Sequence, residues 1–221
     1  WTDDDSHHVR RLCSEGPRPR LPWASRLAMP RKPVFNILTA LKADSSKYVQ
    51  KSVANHLNDI GKADPEWLIE AMAGWQKRAD KHTLWIINHA LRTQIKAGDP
   101  KALALIGFKN ADLTDLELTV NPAKVKIGSK LHATLTLSAP RRGTQALLID
   151  WVMHYARKDR GSSAKVFKGR TIELKAGETF EWQKSFDMTP RRTRSLYPGA
   201  HKLEVQINGD VLASVPFTLT R

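Results

Sequence analysis

Two acidic residues in the basic N-terminal half of the sequence lie where they could take part in chemistry. Glu15 belongs to the segment VRRLCSEGPRPRLPW, residues 9–23, and Asp59 ends the segment SVANHLND, residues 52–59. Alignment of the two predicted helices that carry these residues places both carboxylates toward the same groove. Carboxylates repel phosphate, so two of them in a basic groove are expected to have a positively charged partner. A neighbouring arginine in a structural ion pair is the simpler explanation, and a functional pair of acids is the other.

The basic residues near these acids are candidates for contact with nucleic-acid phosphates, although ordinary surface charges would give the same pattern. In the second half of the chain the candidates belong to the basic loop PRRTRSLYPG, residues 190–199, for which an idle solvated loop is an equal alternative. The candidate DNA-binding residues are Arg11, Arg18, Arg20, Lys51, Arg92, Arg191, Arg192 and Arg194.

The histidines do not form a metal-binding or acid–base motif. His56 lies on the apolar side of its predicted helix, and no HxxxH or HExxH spacing accompanies His7, His8 or His89. We therefore expect neither a metal nor another cofactor.

The charge balance indicates a polyanionic partner. The 221 residues contain 36 Lys and Arg against 22 Asp and Glu, which gives a net charge of +14 and a pI of about 10.1. Nucleic acid is the usual partner of such a basic chain. A protein-interaction solenoid would leave this charge unexplained, whereas a non-catalytic nucleic-acid-binding scaffold would account for it.

Cysteine usage and the absence of long apolar runs indicate the compartment. The single cysteine, Cys13, cannot form an internal disulfide, which predicts a reduced, cytoplasmic location. No apolar run approaches the about 20 residues that cross a bilayer, and the N-terminal segment TDDDSHH is unlike a signal peptide. Because the chain begins at Trp1, directly before a helical pattern, we expect further sequence upstream. We expect a monomer.

Repeated helices are the elements that must position the candidate acids. Segments that begin at Asp5, Asp44 and Asp80 each start with an aspartate, a predicted N-cap, and continue as an apolar-periodic run. Their spacing of 39 and 36 residues is typical of HEAT or armadillo-like helical pairs. Gly61 and Gly98 are predicted to end the second helices of two pairs. One helical stripe in the third segment is predicted to contain Trp85, Asn88, Arg92 and Lys96.

After residue 110 the sequence changes to short β-rich runs separated by turn signals such as KAGE, YPG and NGD. The seven predicted strands cover 113–120, 130–137, 145–155, 165–174, 179–186, 201–208 and 213–220. Their number and spacing predict an immunoglobulin-like β-sandwich with Trp151 in its core and Tyr197 as a tyrosine corner. The fold class is therefore α followed by β: a HEAT-like α-helical repeat array over 1–110, then an immunoglobulin-like sandwich over 111–221.

The sequence resembles the AlkC-type DNA alkylation repair glycosylases in five segments: VRRLCSEGPRPRLPW, SKYVQKSVANHLNDIGKADPE, NHALRTQIKAGDPKALALIGF, KVFKGRTIEL and LYPGAHKLEVQING. The resemblance covers nearly the whole chain and implies the same order of domains. It implies excision of cationic alkylated bases, such as 3-methyladenine and 3-methylcytosine, from double-stranded DNA in base excision repair. Carried over by motif, Glu15 and Asp59 are implied to be catalytic. Arg11 and Arg18 are implied to lie near the DNA backbone at the lesion.

The same family adds one expectation that this sequence does not meet. Its helical array begins further upstream and supplies another acidic active-site residue, so the chain is expected to be the C-terminal portion of a longer array. A cationic base is already a good leaving group, and a carboxylate need only stabilise the sugar cation and orient a water molecule. The alternative is a non-catalytic HEAT and immunoglobulin-like scaffold, in which the two carboxylates would diverge.

Overall fold

The computed structural model describes residues 1–159, 161–192 and 194–221. The chain divides into two units, Trp1–Ile106 and Gly107–Arg221. The first unit is α-helical and the second is built from β-strands, which confirms the predicted fold class. In the part of the chain that is described, no helix is long and apolar enough to cross a membrane.

The helical unit contains seven helices whose order places the candidate acids on neighbouring elements. They are α1 (His7–Glu15), α2 (Arg31–Ala40), α3 (Lys47–Gly61), α4 (Pro65–Gln76), α5 (Lys81–Ala90), α6 (Arg92–Ala97) and α7 (Pro100–Leu105). Helix α3 packs against α1 and α5, α2 packs against α1, and α4 packs against α3 and α5. Stacked helical pairs of this kind bury a continuous apolar core that no single pair could form alone.

The core of this unit is centred on α3. Val49, Val53 and Leu57 line one side of that helix and are fully buried, as their spacing at i, i+4 and i+8 predicts. Gly61 ends α3, and a Cβ at this position would collide with the Leu68 side chain. Glycine at this position therefore allows α4 to approach α3.

The helix starts agree only in part with the sequence pattern. Asp80 caps α5, as predicted, because its Oδ1 accepts a hydrogen bond from the Thr83 amide at 2.7 Å. The N-cap predicted at Asp5 is wrong, since Ser6 occupies the N-cap position of α1.

The N-cap predicted at Asp44 is also wrong, because Ser46 is the N-cap residue of α3. Asp44 instead accepts a hydrogen bond from the Ser46 amide at 2.8 Å and pairs with Arg10 Nε at 2.7 Å. Aspartate is favoured both at an N-cap and in the turn that precedes one, so the sequence pattern does not separate the two positions. The pair with Arg10 fixes the start of α3 against α1.

The third predicted stripe is interrupted. Helix α5 ends at Ala90 and α6 begins at Arg92, with Leu91 between them outside both helices. Gly98 stops α6 in the left-handed conformation with φ of 79°, as predicted. Trp85 and Arg92 therefore belong to different helices.

The second unit is a sandwich of two sheets. Its strands are β1 (Asp115–Asn121), β2 (Lys124–Lys126), β3 (Lys130–Ser138), β4 (Thr144–Ala156), β5 (Ser162–Lys175), β6 (Thr179–Asp187), β7 (Gly199–Ile207) and β8 (Asp210–Thr220). One sheet has the order β1-β3-β6 and the other β2-β8-β7-β4-β5. The unit is an immunoglobulin-like sandwich, as predicted.

The sandwich core is centred on β4. Trp151 is fully buried, as predicted, with its ring 5.1 Å from that of Trp182 and 5.7 Å from that of Phe186. Aromatic edge-to-face packing across the two sheets joins them in place of a disulfide. Tyr197 is half-buried, and its carbonyl accepts a hydrogen bond from His201 Nε2 at 2.9 Å.

Among the described residues of this unit, a short strand raises the number of strands from the predicted seven to eight. Strand β2 has three residues and pairs in parallel with β8, with Lys124 opposite Thr218. Only Val125 is buried in it. A single buried residue gives no alternating pattern, so sequence periodicity does not identify such a strand.

Candidate functional site

Glu15 and Asp59 meet at one guanidinium group. Arg18 Nη1 donates to Glu15 Oε1 at 2.8 Å, and Arg18 Nε and Nη2 donate to Asp59 Oδ2 at 3.1 and 2.7 Å. The exposed fractions of the three residues are 7% for Glu15, 3% for Asp59 and 9% for Arg18. The two acids predicted from the sequence therefore converge, and they do so inside the protein rather than on its surface.

The local chain path explains how Arg18 reaches both acids. Helix α1 ends at Glu15, and the Arg18 amide donates to the Glu15 carbonyl at 3.1 Å, which closes a turn through Pro17. The turn carries the Arg18 side chain back across the end of α1 to the last turn of α3, where Asp59 lies. The proline fixes its own φ, so part of this turn is set in advance.

Two serines complete the surroundings of Glu15. Ser52 Oγ donates to Glu15 Oε2 at 2.7 Å, and Ser14 Oγ donates to Ser52 Oγ at 2.6 Å. Both serines are almost fully buried. Glu15 therefore has one oxygen bonded to a hydroxyl and the other to a guanidinium. Neither serine is predicted from the sequence, because only the packing of α1 on α3 brings them beside the acid.

Further cations surround the pair of acids. Lys62 Nζ lies 3.0 Å from Asp59 Oδ1, and Arg11 Nη2 lies 3.5 Å from Glu15 Oε1. Arg11 also lies over the ring of Tyr48, 4.4 Å from its centroid. Lys62 was likewise missed, although its i, i+3 spacing from Asp59 on a helix is a signal that could have identified it.

His56 supports the site from the apolar side of α3. It is 1% exposed, and its Nδ1 donates to the Ser14 carbonyl at 2.7 Å. Burial lowers the pKa of His56 below its usual value, the Arg18 charge lowers it further, and the bond to the Ser14 carbonyl opposes both. The imidazole is therefore neutral at pH 7 and holds the backbone beside Glu15. Within the described ranges, no group of three or more His, Cys, Asp or Glu residues could hold a metal ion.

An open cavity of about 180 Å³ lies beside Asp59. Its lining is mostly apolar and includes two arginines, with Asp59 as its acid. The lining residues are Pro17, Pro19, Arg20, Leu27, Ala28, Met29, Arg31, Val34, His56, Asp59, Ile60 and Ala63. Asp59 lines the cavity and Glu15 does not, so Asp59 is the acid that borders a group bound there.

The other predicted DNA-binding residues of the helical unit occupy different environments. Arg20 is exposed at the cavity, and Lys51 is exposed on α3. Arg92 is half-buried; its Nη2 donates to Asn55 Oδ1 at 3.0 Å and its Nη1 to the His89 carbonyl at 2.6 Å. Burial lowers the pKa of Arg92, with the Asp59 charge opposing this. Arg92 nevertheless keeps its positive charge at pH 7, because an arginine in a protein is effectively always protonated.

The three arginines of the second unit differ among themselves. Arg192 is exposed, and Arg191 pairs with Asp187 at 3.3 Å at the surface. Arg194 Nη1 donates to the Tyr155 hydroxyl at 2.8 Å, and its guanidinium lies 4.6 Å from the centre of that ring. Arg194 is therefore part of a built side-chain cluster rather than a free loop cation.

Comparison with known proteins agrees with this architecture in both units. Residues 1–93 match the family model described as "DNA alkylation repair enzyme", and residues 114–221 match "Uncharacterised protein YhaZ, C-terminal Ig-like domain". The protein "Uncharacterized protein YhaZ" of Bacillus subtilis (strain 168) is 39% identical over 221 residues, which cover 98% of this chain and 61% of that protein.

A solved structure gives the same result. The Pseudomonas fluorescens alkylpurine DNA glycosylase AlkC, bound to DNA containing an abasic site analog, is 40% identical with a TM-score of 0.91. The alignment covers 100% of this chain and 62% of that one. The chain thus spans about three fifths of the length of these relatives. Its helical unit is thus similar to the DNA alkylation repair enzyme family, and its sandwich unit is similar to the C-terminal Ig-like domain of YhaZ.

Proposed function

We propose that the chain is the part of a DNA glycosylase that carries Glu15 and Asp59 as catalytic acids. It would excise cationic alkylated bases of the 3-methyladenine and 3-methylcytosine class from double-stranded DNA. The observation that carries the proposal is the convergence of the two acids on Arg18. The 40% identity with the Pseudomonas fluorescens glycosylase over this whole chain supports it.

The reaction is hydrolysis of the N-glycosidic bond. The bond between C1′ and the base nitrogen breaks, and its electron pair goes to the base, which neutralises the positive charge of the lesion. The sugar becomes oxocarbenium-like, a water oxygen attacks C1′, and the water proton passes to a carboxylate and then to solvent. No protonation of the leaving base is needed because the base is already cationic.

The environment of the acids suits electrostatic stabilisation of that sugar cation. Asp59 is nearly buried, so its charge acts through a medium that screens less than water does. Arg18 and Lys62 bond to different oxygens of Asp59 and fix its orientation before any substrate arrives. Asp59 is the acid in the cavity wall, and we propose that it acts directly at the sugar and the water. Glu15, on the other side of Arg18, adds its negative charge to the electric field that stabilises the sugar cation.

The candidate cations would hold the DNA backbone. Arg11 and Arg18 lie beside the acids, while Arg20, Lys51 and Arg92 extend the positive charge along the helical unit. Arg191, Arg192 and Arg194 would add phosphate contacts from the sandwich. Contacts of this kind offset the repulsion between the two acids and phosphate and fix the strand without reading its sequence. The proposal requires no metal or cofactor.

Selectivity follows from the charge of the lesion. A normal base leaves as an anion and would need protonation, for which neither carboxylate is suited while it is bonded to Arg18. A cationic base leaves as a neutral molecule and needs no proton, so the electric field of the two carboxylates is sufficient for its release. The proposal includes action as a monomer in the cytoplasm, the compartment expected for a chain whose single cysteine is Cys13.

The decisive experiment compares charge-removing variants of the acids with matched controls. Release of 3-methyladenine and 3-methylcytosine would be measured in a chimera that adds the part of the Pseudomonas fluorescens chain not covered here. We expect Asp59→Asn and Glu15→Gln to lower the rate by roughly 10² or more, the scale seen when one electrostatic stabiliser of a transition state is lost. DNA affinity should be retained or rise slightly.

The controls are Asp99→Asn and Glu70→Gln, which make the same changes elsewhere in the helical unit. Asp99 caps α7 through the Ala102 amide, a bond that asparagine can also accept, and Glu70 is exposed on α4. Both controls should excise at the parental rate. Normal excision by both acid variants would refute the catalytic assignment. A chimera that binds DNA and excises no cationic lesion would favour the non-catalytic scaffold.

A further inference from the structure

A second cavity, of about 300 Å³, lies in the sandwich unit and collects positive charge over aromatic rings. We propose that it is a phosphate-binding site that takes a backbone phosphate of a DNA strand. Four of its lining residues are cations, Lys165, Lys184, Arg191 and Arg194, against one acid, Asp187. The inference deepens the DNA binding of the proposed function and rests on that binding, but it requires no excision chemistry.

Aromatic side chains hold three of these cations in place. Lys165 Nζ lies 5.1 Å from the ring centre of Phe167, and Lys184 Nζ lies 5.8 Å from that of Phe186. Arg194 lies over Tyr155 and is bonded to its hydroxyl at 2.8 Å. Cation–π contacts orient the charges but do not neutralise them. Each of these rings therefore has a cation over it, and the charges remain available to an anionic ligand.

The cluster has more donors than acceptors. Across residues 1–159, 161–192 and 194–221, neither Lys165 nor Lys184 forms an ion pair, and buried Arg194 Nε has no hydrogen-bond partner. Asp187 already accepts from the Thr189 amide and hydroxyl at 2.9 and 2.6 Å and pairs with Arg191. A buried donor left without an acceptor is costly, and an incoming anion would satisfy it.

Phosphate is the anion that matches this arrangement. Its oxygens accept several hydrogen bonds at once, which suits ammonium groups beside a planar guanidinium. The aromatic floor formed by Tyr155, Phe167 and Phe186 reduces screening by water on one side of the bound group. A DNA backbone and a free phosphate share this chemistry, and the two sources are distinguished by measuring both.

The first measurement is the dependence of duplex affinity on salt, using undamaged DNA and the whole chain. Each lost phosphate contact should reduce the slope of log affinity against log salt by about 0.9. We expect this reduction for Lys165→Gln and for Lys184→Gln. The matched control is Lys168→Gln, which removes the same charge from an exposed position of the same strand, β5, outside the cavity. Lys168→Gln should leave the slope unchanged. Lys165→Arg, which keeps the positive charge, should have the slope of the unsubstituted chain.

The second measurement is binding of inorganic phosphate and of a mononucleotide, followed by the NMR signal of the Arg194 Nε–H group. A reduced slope in the lysine variants assigns the site to DNA. An unchanged slope together with saturable phosphate binding assigns it to a free phosphate and refutes the DNA source. An unchanged slope without phosphate binding overturns the proposal. None of these results depends on excision, so failure of the glycosylase assignment would be seen separately.

Discussion

Ser52 and Glu15, on different helices of the array, are joined by a hydrogen bond of 2.7 Å from the serine Oγ to Oε2 of the acid. Ser14 donates to the same Ser52 hydroxyl from behind, at 2.6 Å. An ionised carboxylate can only accept, so the Ser52 hydrogen is committed to Glu15 and the Ser52 oxygen accepts from Ser14. Because Arg18 Nη1 bonds to Oε1, Glu15 is held at both oxygens.

Replacing Ser52 should therefore slow excision without weakening DNA binding. A hydrogen bond to a charged group contributes about 1.5–3 kcal/mol, which corresponds to a loss of roughly tenfold or more in rate if the bond matters in the transition state. Ser52→Ala would be measured in single-turnover excision by the chimera, with DNA affinity measured in parallel. Ser45→Ala, at an exposed serine, is the control. An equal loss of rate and affinity would indicate simple misfolding.

Arg18 should contribute strongly to the stability of the helical unit. Its removal in Arg18→Met leaves Glu15 and Asp59 as buried charges without their shared partner, which costs about 3 kcal/mol or more in free energy of unfolding. The triple variant that also carries Glu15→Gln and Asp59→Asn should recover much of the loss. Urea unfolding measures both.

The control for Arg18 is an ion pair at the surface. Arg31 pairs with Asp64 at 2.6 Å, but the side chains are 46% and 36% exposed. Arg31→Met should change the free energy of unfolding far less than Arg18→Met does, since solvent screens exposed pairs. Equal losses for Arg18 and Arg31 would mean that the buried network does not act as a unit.

Protonation of His56 should destabilise the helical unit on the acid side of neutrality. The unfolded residue has a pKa of 6.5 and the folded residue a lower one. Between these values only the unfolded state binds the proton, so the free energy of unfolding falls as the pH decreases through that window and is unaffected above it. Hydrogen exchange of α3 amides from about pH 5 to 8 would follow this change.

The variant His56→Asn tests the assignment, because an asparagine Nδ2 can donate to the Ser14 carbonyl without titrating. It should remove the slope of the free energy of unfolding against pH. His132→Asn, at an exposed histidine of the sandwich, should retain it. If the slope persists in His56→Asn, another group is responsible.

The segment between the two units should be the first to be cut by proteases. Residues 107–114 lie outside helices and strands, and Lys109 is exposed. Limited trypsin digestion should therefore yield fragments 1–109 and 110–221, identified by mass spectrometry. The Lys109 carbonyl accepts a hydrogen bond from Asn208 Nδ2 at 2.6 Å, so Asn208→Ala should accelerate this cleavage. First cleavage within the Arg18–Arg31 segment would contradict the expectation.

The sequence was sufficient for features that depend on local pattern. The periodicity of α3, the cap at Asp80 and the buried Trp151 follow from residue type and spacing, which act over a few residues. Features that depend on packing were missed. Ser14 and Ser52 are ordinary helix residues in the sequence, and only the contact of α1 with α3 makes them partners of Glu15.

Edge strand β5 has a consequence for the behaviour of the protein in concentrated solution. It is the last strand of the five-stranded sheet, and it carries four exposed cations: Lys165, Lys168, Arg170 and Lys175. An uncovered edge strand invites pairing with the edge of another molecule, and like charges along it oppose that pairing. Self-association should therefore rise when these charges are neutralised. A bound anion would neutralise part of this charge and so weaken the protection. We therefore expect the free protein to aggregate less than protein saturated with short polyanion fragments, which neutralise the charges without covering the strand.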